Sequence, residues 1–157
     1  MPPSEHTSIQ GVLTLELRDQ AGALVERRRV DNLIVASGKS LLARMLGGKT
    51  AGAVALVIAV GDKSAAADPG DKELGGKRAE ALAEMNEPVV NGAQVKVNVK
   101  ATIAQGGDPN VVLPLTEAGI LVRVGDDQGG VLFNRVTFPV INKSSTMSLL
   151  LSWDLTF

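Results

Sequence analysis

The sequence predicts a mainly β fold, an antiparallel β-sandwich of jelly-roll-like character with one short α-helix near residues 38–46. Three observations lead there. Apolar residues recur at every second position in several short segments, which is the period of a half-buried strand. Clusters of Gly, Asp, Asn and Pro separate these segments at near-regular intervals, as in all-β domains. A single stretch carries helical spacing, and neither an internal repeat nor a heptad pattern is present.

Residues 1–10 read as an extended polar N-terminal arm with Pro2, Pro3 and Ile9, and residues 11–157 as a single β-sandwich domain. Leu13, Leu15 and Leu17 alternate with Thr14, Glu16 and Arg18, a strand that is expected to be an exposed edge from Gly11 to Leu17. Asp19-Gln20-Ala21-Gly22 supplies turn chemistry, and Ala23 to Val30 returns as a second hairpin arm carrying Arg27, Arg28 and Arg29. Ser37 is placed to cap a helix whose stripe is Leu41, Leu42, Met45 and Leu46, with Gly47-Gly48 stopping it. The unbroken apolar run Ala53 to Val60 reads as a strand buried on both faces.

Small and polar residues from Gly61 to Gly76 predict a long exposed loop, and the composition of Arg78 to Met85 leaves helix, strand or irregular structure open. After a turn at Asn91-Gly92, Val95, Val97 and Val99 alternate with Lys96, Asn98 and Lys100. Further strands are expected over Ala118–Val124 and Val131–Phe138, with Pro139 to Ser145 as a connection. The terminal strand places Leu149, Leu151, Trp153, Leu155 and Phe157 on one face, with the sole Trp turned inward.

The bulk numbers narrow the chemistry. A chain of 157 residues suits one domain with a proper core. Its net charge of −1 and 3% aromatics offer neither a phosphate-binding field nor a stacking surface, so no nucleic-acid partner is expected. With no Cys, disulfides, thiolate metal sites and thiol nucleophiles are excluded. The longest apolar stretch is far shorter than the roughly 20 residues a spanning helix needs, and the N-terminus lacks a signal-peptide pattern. No membrane association is expected.

Searching for catalytic motifs yields little. Ser37-Gly38-Lys39-Ser40 approaches the phosphate-loop pattern, but Leu33 occupies the position where that loop requires its early Gly. The only His is His6, in the arm, so neither a Ser-His-Asp triad nor a zinc site can be assembled from imidazoles. Asp62, Asp68, Asp71, Asp126 and Asp127 do not follow calcium-loop spacing and suit turns better. The chain is expected to be no enzyme and to need no cofactor or metal. Arg27, Arg28 and Arg29 split across two strand faces. They suit either a solvated edge paired to a cross-strand carboxylate such as Glu16 or a contact with a partner protein.

Three stretches, in order, carry a resemblance. The first is Val30-Asp31-Asn32-Leu33-Ile34-Val35 running into Gly38-Lys39-Ser40-Leu41-Leu42-Ala43. The second is Val57-Ile58-Ala59-Val60-Gly61-Asp62. The third joins Leu115-Thr116-Glu117-Ala118-Gly119-Ile120-Leu121, Leu132-Phe133-Asn134-Arg135-Val136, Ile141-Asn142-Lys143 and the close at Trp153 and Phe157. This progression resembles a family of small structural proteins of tailed-bacteriophage virions. It is also similar to the N-terminal attachment domains of phage tail-collar fibres.

The resemblance implies a non-catalytic β-sandwich that docks on other virion proteins (the major capsid protein, or tail and baseplate proteins) and forms a homo-oligomer. It implies a location in the virion, after assembly in the cytoplasm of the bacterial host. No shaft follows Phe157, which favours a capsid decoration or cement protein over a tail, baseplate or fibre-attachment component. A carbohydrate-binding sandwich is the reading from another class, and it would want exposed aromatics. The candidate partner-contact residues are Pro2, Pro3, Ile9, Arg27, Arg28 and Arg29.

Overall fold

The computed structural model describes residues 9–157. Pro2, Pro3 and His6 therefore lie outside the described residues. In chain order the elements are β1 (Gln10–Arg18), β2 (Leu24–Asp31), β3 (Leu33–Ile34), α1 (Ala36–Leu46), β4 (Val54–Gly61), β5 (Lys77–Leu82) and β6 (Glu84–Met85). There follow β7 (Val89–Asn91), β8 (Gln94–Ile103), β9 (Leu113–Val124), β10 (Val131–Leu132), β11 (Asn134–Lys143) and β12 (Ser148–Thr156).

They form two antiparallel sheets, the sandwich that the alternating pattern predicts. Sheet one runs β2-β1-β12-β8-β6, with β7 also on β8, and sheet two runs β3-β11-β9-β4-β5, with β10 on β9. The first and last strands pair at the centre of sheet one, from Gln10 opposite Thr156 to Arg18 opposite Ser148. So Gly11–Leu17 is not an edge: β2 covers one side of it and β12 the other. The edge role falls to β2, whose charged outer face tolerates water where the leucines of β1 do not.

Period-two alternation does what it should in the core. Leu13, Leu15 and Leu17 of β1 meet Leu149, Leu151, Trp153 and Leu155 of β12, all buried, against Ile58, Val60, Ile120 and Val136 of sheet two. Each such leucine contributes roughly 1.5–3 kcal/mol by leaving water. Both long sides of the sandwich are closed by strands that change sheet. Asn32 alone separates β2 from β3, and Ala83 alone separates β5 from β6. At the first corner Asn32 donates its amide to the Gly11 carbonyl at 3.1 Å. Its Oδ1 accepts the indole N–H of Trp153 at 3.0 Å. The buried Trp thus has a partner for its one polar atom, and that partner pins the corner.

Several expectations need correction. The helix cap is Val35, not Ser37. The Val35 carbonyl receives Gly38 and Lys39 amides, while Ser37 Oγ donates to the Leu132 carbonyl at 2.6 Å. Entry from β3 against β11 fixes the first turn, so the Ser is free to bond across to β10. Leu46 is 92% exposed, because only Leu41 is buried, with Leu42 and Met45 half-buried, before α1 runs past the sheet. Pro139–Lys143 is strand, continuing β11 beyond an irregularity between Thr137 and Ile141 that accommodates Pro139 without a ladder amide. Phe157 lies beyond β12 and is 39% exposed, although its backbone pairs with Val95 in both directions.

Replacing Trp153 with Phe removes the donor to Asn32 and is expected to cost roughly 1–3 kcal/mol. Trp153→Ala is expected to cost roughly 3–5 kcal/mol, since it also leaves a cavity. Denaturant unfolding followed by far-UV circular dichroism measures both.

Candidate functional site

The segments singled out by the sequence converge on the outer face of sheet two. There the loop over Gly61–Gly76, largely exposed as its composition predicts, is also tied down as a lid. Leu74 is buried with Val35, Val57, Ala59, Leu121 and Leu132, a second small core on the side of β4 away from the main one. This is why the run Ala53–Val60 is apolar on both faces: Ile58 and Val60 serve the main core, Val57 and Ala59 the lid.

Beneath the lid sits a buried carboxylate. Glu117 on β9 accepts the backbone amides of Gly75 at 3.0 Å, Gly76 at 2.7 Å and Lys63 at 3.3 Å. Arg135, on the neighbouring β11 and also buried, donates Nε to Glu117 at 2.9 Å. Its Nη1 reaches Asp71 of the lid at 3.1 Å. The pair survives burial because each charge is met by several charge-assisted hydrogen bonds. Gly119, two residues on, has no room for a Cβ, which would stand 2.6 Å from the Asn134 carbonyl and 3.2 Å from Leu74 Cδ2. Asn134 in turn accepts the Ile120 amide at 2.8 Å through Oδ1. The Thr116–Ile120 and Leu132–Val136 stretches interlock.

Sequence reasoning marked these stretches by resemblance but assigned Glu117 and Arg135 no role. A signal was present. Each is a lone charge of opposite sign inside an apolar strand run, and two such residues at pairing distance satisfy each other when buried.

The remaining candidates separate. Gly38 lies on α1 with its Cα against the Phe133 backbone, and the Ala36 amide is taken by the Pro69 carbonyl at 2.8 Å. No phosphate cradle forms at Ser37-Gly38-Lys39-Ser40. Asp68 accepts the Gly70 amide, Asp127 accepts those of Gly129 and Gly130, and Asp62 pairs with Arg78 at 2.6 Å. Among the described residues no group of three or more His, Asp or Glu is placed to hold a metal. No helix among the described residues is long and apolar enough to cross a membrane.

The Arg triplet divides as its strand period requires. Arg27 and Arg29 face outward, and Arg27 lies 3.7 Å from Glu16, its cross-strand neighbour. Arg28 turns to the inner side and bonds Glu26. Ile9 is half-buried and packs on the main core. The three arginines and Ile9 therefore share no single patch.

Lys143 is a different case, 3% exposed at the end of β11 with only a long contact, 3.4 Å, to the Ser144 carbonyl. Burial pushes its pKa below the ordinary 10.5. Comparison of the chain with protein-family models, curated proteins and solved structures finds no match.

Two outcomes follow from these buried charges. Arg135→Met strands Glu117 and Asp71 and is expected to lower stability by about 3–5 kcal/mol in chemical denaturation. Because the fold disfavours charged Lys143, that penalty is complete below its folded pKa and fades as pH rises toward 10.5. Lys143→Met is therefore expected to raise stability at neutral pH and to remove a rise in stability seen in the wild type on the alkaline side. Denaturation midpoints at pH ~7 and ~10 make the comparison.

Proposed function

We propose that this protein is a non-catalytic structural component of a tailed-bacteriophage virion, a capsid decoration or cement protein that docks on the particle surface. The observation that carries the reading is the interlock described above. The Thr116–Ile120 and Leu132–Val136 segments of the third stretch meet at Glu117 and Arg135 and bond to the lid. The first stretch joins them through the Val35 amide on the Phe133 carbonyl, and the second through the pairing of β4 on β9. Glu117, Arg135 and Asp71 are engaged in holding the fold. What the molecule offers outward is surface.

That surface is suited to protein contact. Leu82 and Val90 are 75% and 72% exposed, and Met85 and Val89 accompany them along the β5–β7 margin. Such clustered apolar exposure on a domain of this size is a mark of an interaction surface. Weak contacts of this kind gain strength when many copies engage one particle. A sugar-binding reading has less support, since Trp153, Phe133 and Phe138 are buried and Phe157 is the aromatic with an accessible face.

The second reading is a tail or baseplate component or fibre-attachment adaptor. It draws on the similarity of the Thr116–Leu121 and Leu132–Val136 stretches to tail-collar attachment domains. Quantitative mass spectrometry of purified particles of the phage encoding the chain separates the readings. Hundreds of copies per particle are expected for decoration. A small multiple of three or six would move the protein to the tail, and absence from particles would overturn the virion reading.

A further inference from the structure

The two ends of sheet one are unlike, and they complement each other. Directly opposed residues lie on one face of a sheet, and the pairing register traces a row across the outer face: Arg29, Thr14, Ser152, Lys100 and Glu84. Arg29 ends the row on the β2 edge and Glu84 ends it on the β6 edge. Four strand spacings of about 4.8 Å place them roughly 19 Å apart. Neither has an ion-pair partner within 4 Å among the described residues.

The surroundings repeat the contrast. On the β2 edge Arg27 joins Arg29 on the outer face, beside exposed Leu24 and Val25. On the opposite edge Glu84 and Glu87 are exposed among Leu82, Met85, Val89 and Val90, and the segment from Leu82 to Val90 holds no basic residue. A shallow trough of about 480 Å³ runs over the outer face between these margins, reaching Arg29 at one end and Asn86 and Val89 at the other.

We propose that copies of this chain associate head to tail, the basic β2 edge of one against the acidic β6–β7 edge of the next. In that arrangement the next copy's Arg29 takes the following place in the row, one strand spacing of about 4.8 Å beyond Glu84. Leu24 and Val25 then cover apolar side chains of the β6–β7 margin. Pairing like with like is disfavoured, because β2 on β2 opposes arginines and β6–β7 on itself opposes glutamates. Because the two surfaces differ, the contact is heterologous, and it closes as a ring or continues as a filament according to the rotation per copy. Exposed ion pairs are individually weak and screened by salt. Association is accordingly concentration-dependent in solution and weakened by added salt. The proposal stands on the two edges and holds whether or not the particle is a virion.

Sedimentation velocity of the full chain, over a concentration series to about 1 mM, tests it. Two charge reversals are made at exposed positions, R27E/R29E and E84K/E87K, and thermal melts confirm that each keeps its fold. Wild type is expected to associate, and each variant alone is expected to weaken association by roughly tenfold or more. An equimolar mixture of the two variants is expected to restore it, since the acidic β2 edge of one then meets the basic β6–β7 edge of the other. A wild type that stays monomeric throughout overturns the proposal. So does association unaffected by the reversals, or variants that fail to recover on mixing. Copy number on particles is a separate readout, so this contact and the virion reading fail independently.

Discussion

The carboxylate of Glu117 is the constraint on which most of this structure depends. A buried carboxylate without partners would cost many kcal/mol or simply take up a proton. Here the chain surrounds it with the amides of Lys63, Gly75 and Gly76 and the guanidinium of Arg135. Meeting that demand explains several choices at once. The lid needs Gly75 and Gly76, because a Cβ at either would run into Lys63, and at Gly76 also into Asp62. Gly119 must be small so that Leu74 can descend beside it. Arg135 must lie on β11 directly beside β9, and Asp71 must reach back from the lid to take its other nitrogen. A polar requirement at one atom thus orders a loop of the chain and seals the outer face of sheet two.

The strands were legible because their period is local. Leu13 to Leu17 and Leu149 to Leu155 alternate in sequence and alternate in burial, and Trp153 faces inward as its position demands. What sequence hid was long-range. The pairing of the first strand with the last converts Gly11–Leu17 from an edge into a sheet centre, and no local pattern encodes that neighbour. The lid was hidden for a related reason. Its residues are small and polar, as in any loop, and only a distant carboxylate gives their amides a place to go. Ser37 misled because its local sequence suits a cap, while a carbonyl 95 residues away competes for its hydroxyl. The site residues fared better: the split of Arg27, Arg28 and Arg29 between faces follows from strand period, and the solvated edge with Glu16 across from Arg27 is one of the two readings the sequence offered.

The same division separates the inward from the outward chemistry of the molecule. Inside, Glu117 and Arg135 are met by each other and by the lid, while Lys143 is buried with only a long contact to the Ser144 carbonyl. Left over are apolar and charged groups at the two margins of sheet one, whose strands have unpaired backbone on one side. Natural β proteins shield such margins with charge. Here the charges differ in sign between the margins, which shields each against itself while leaving each open to the other.

The central claim is that the segment from Asp62 to Gly76 is a fixed lid held by Glu117 and not a free loop. Amide hydrogen exchange at single-residue resolution tests it most directly. The amides of Gly75 and Gly76 are expected to exchange orders of magnitude more slowly than that of the exposed loop residue Gly107, at rates approaching those of β9. Exchange at Gly75 and Gly76 as fast as at Gly107 would contradict the account.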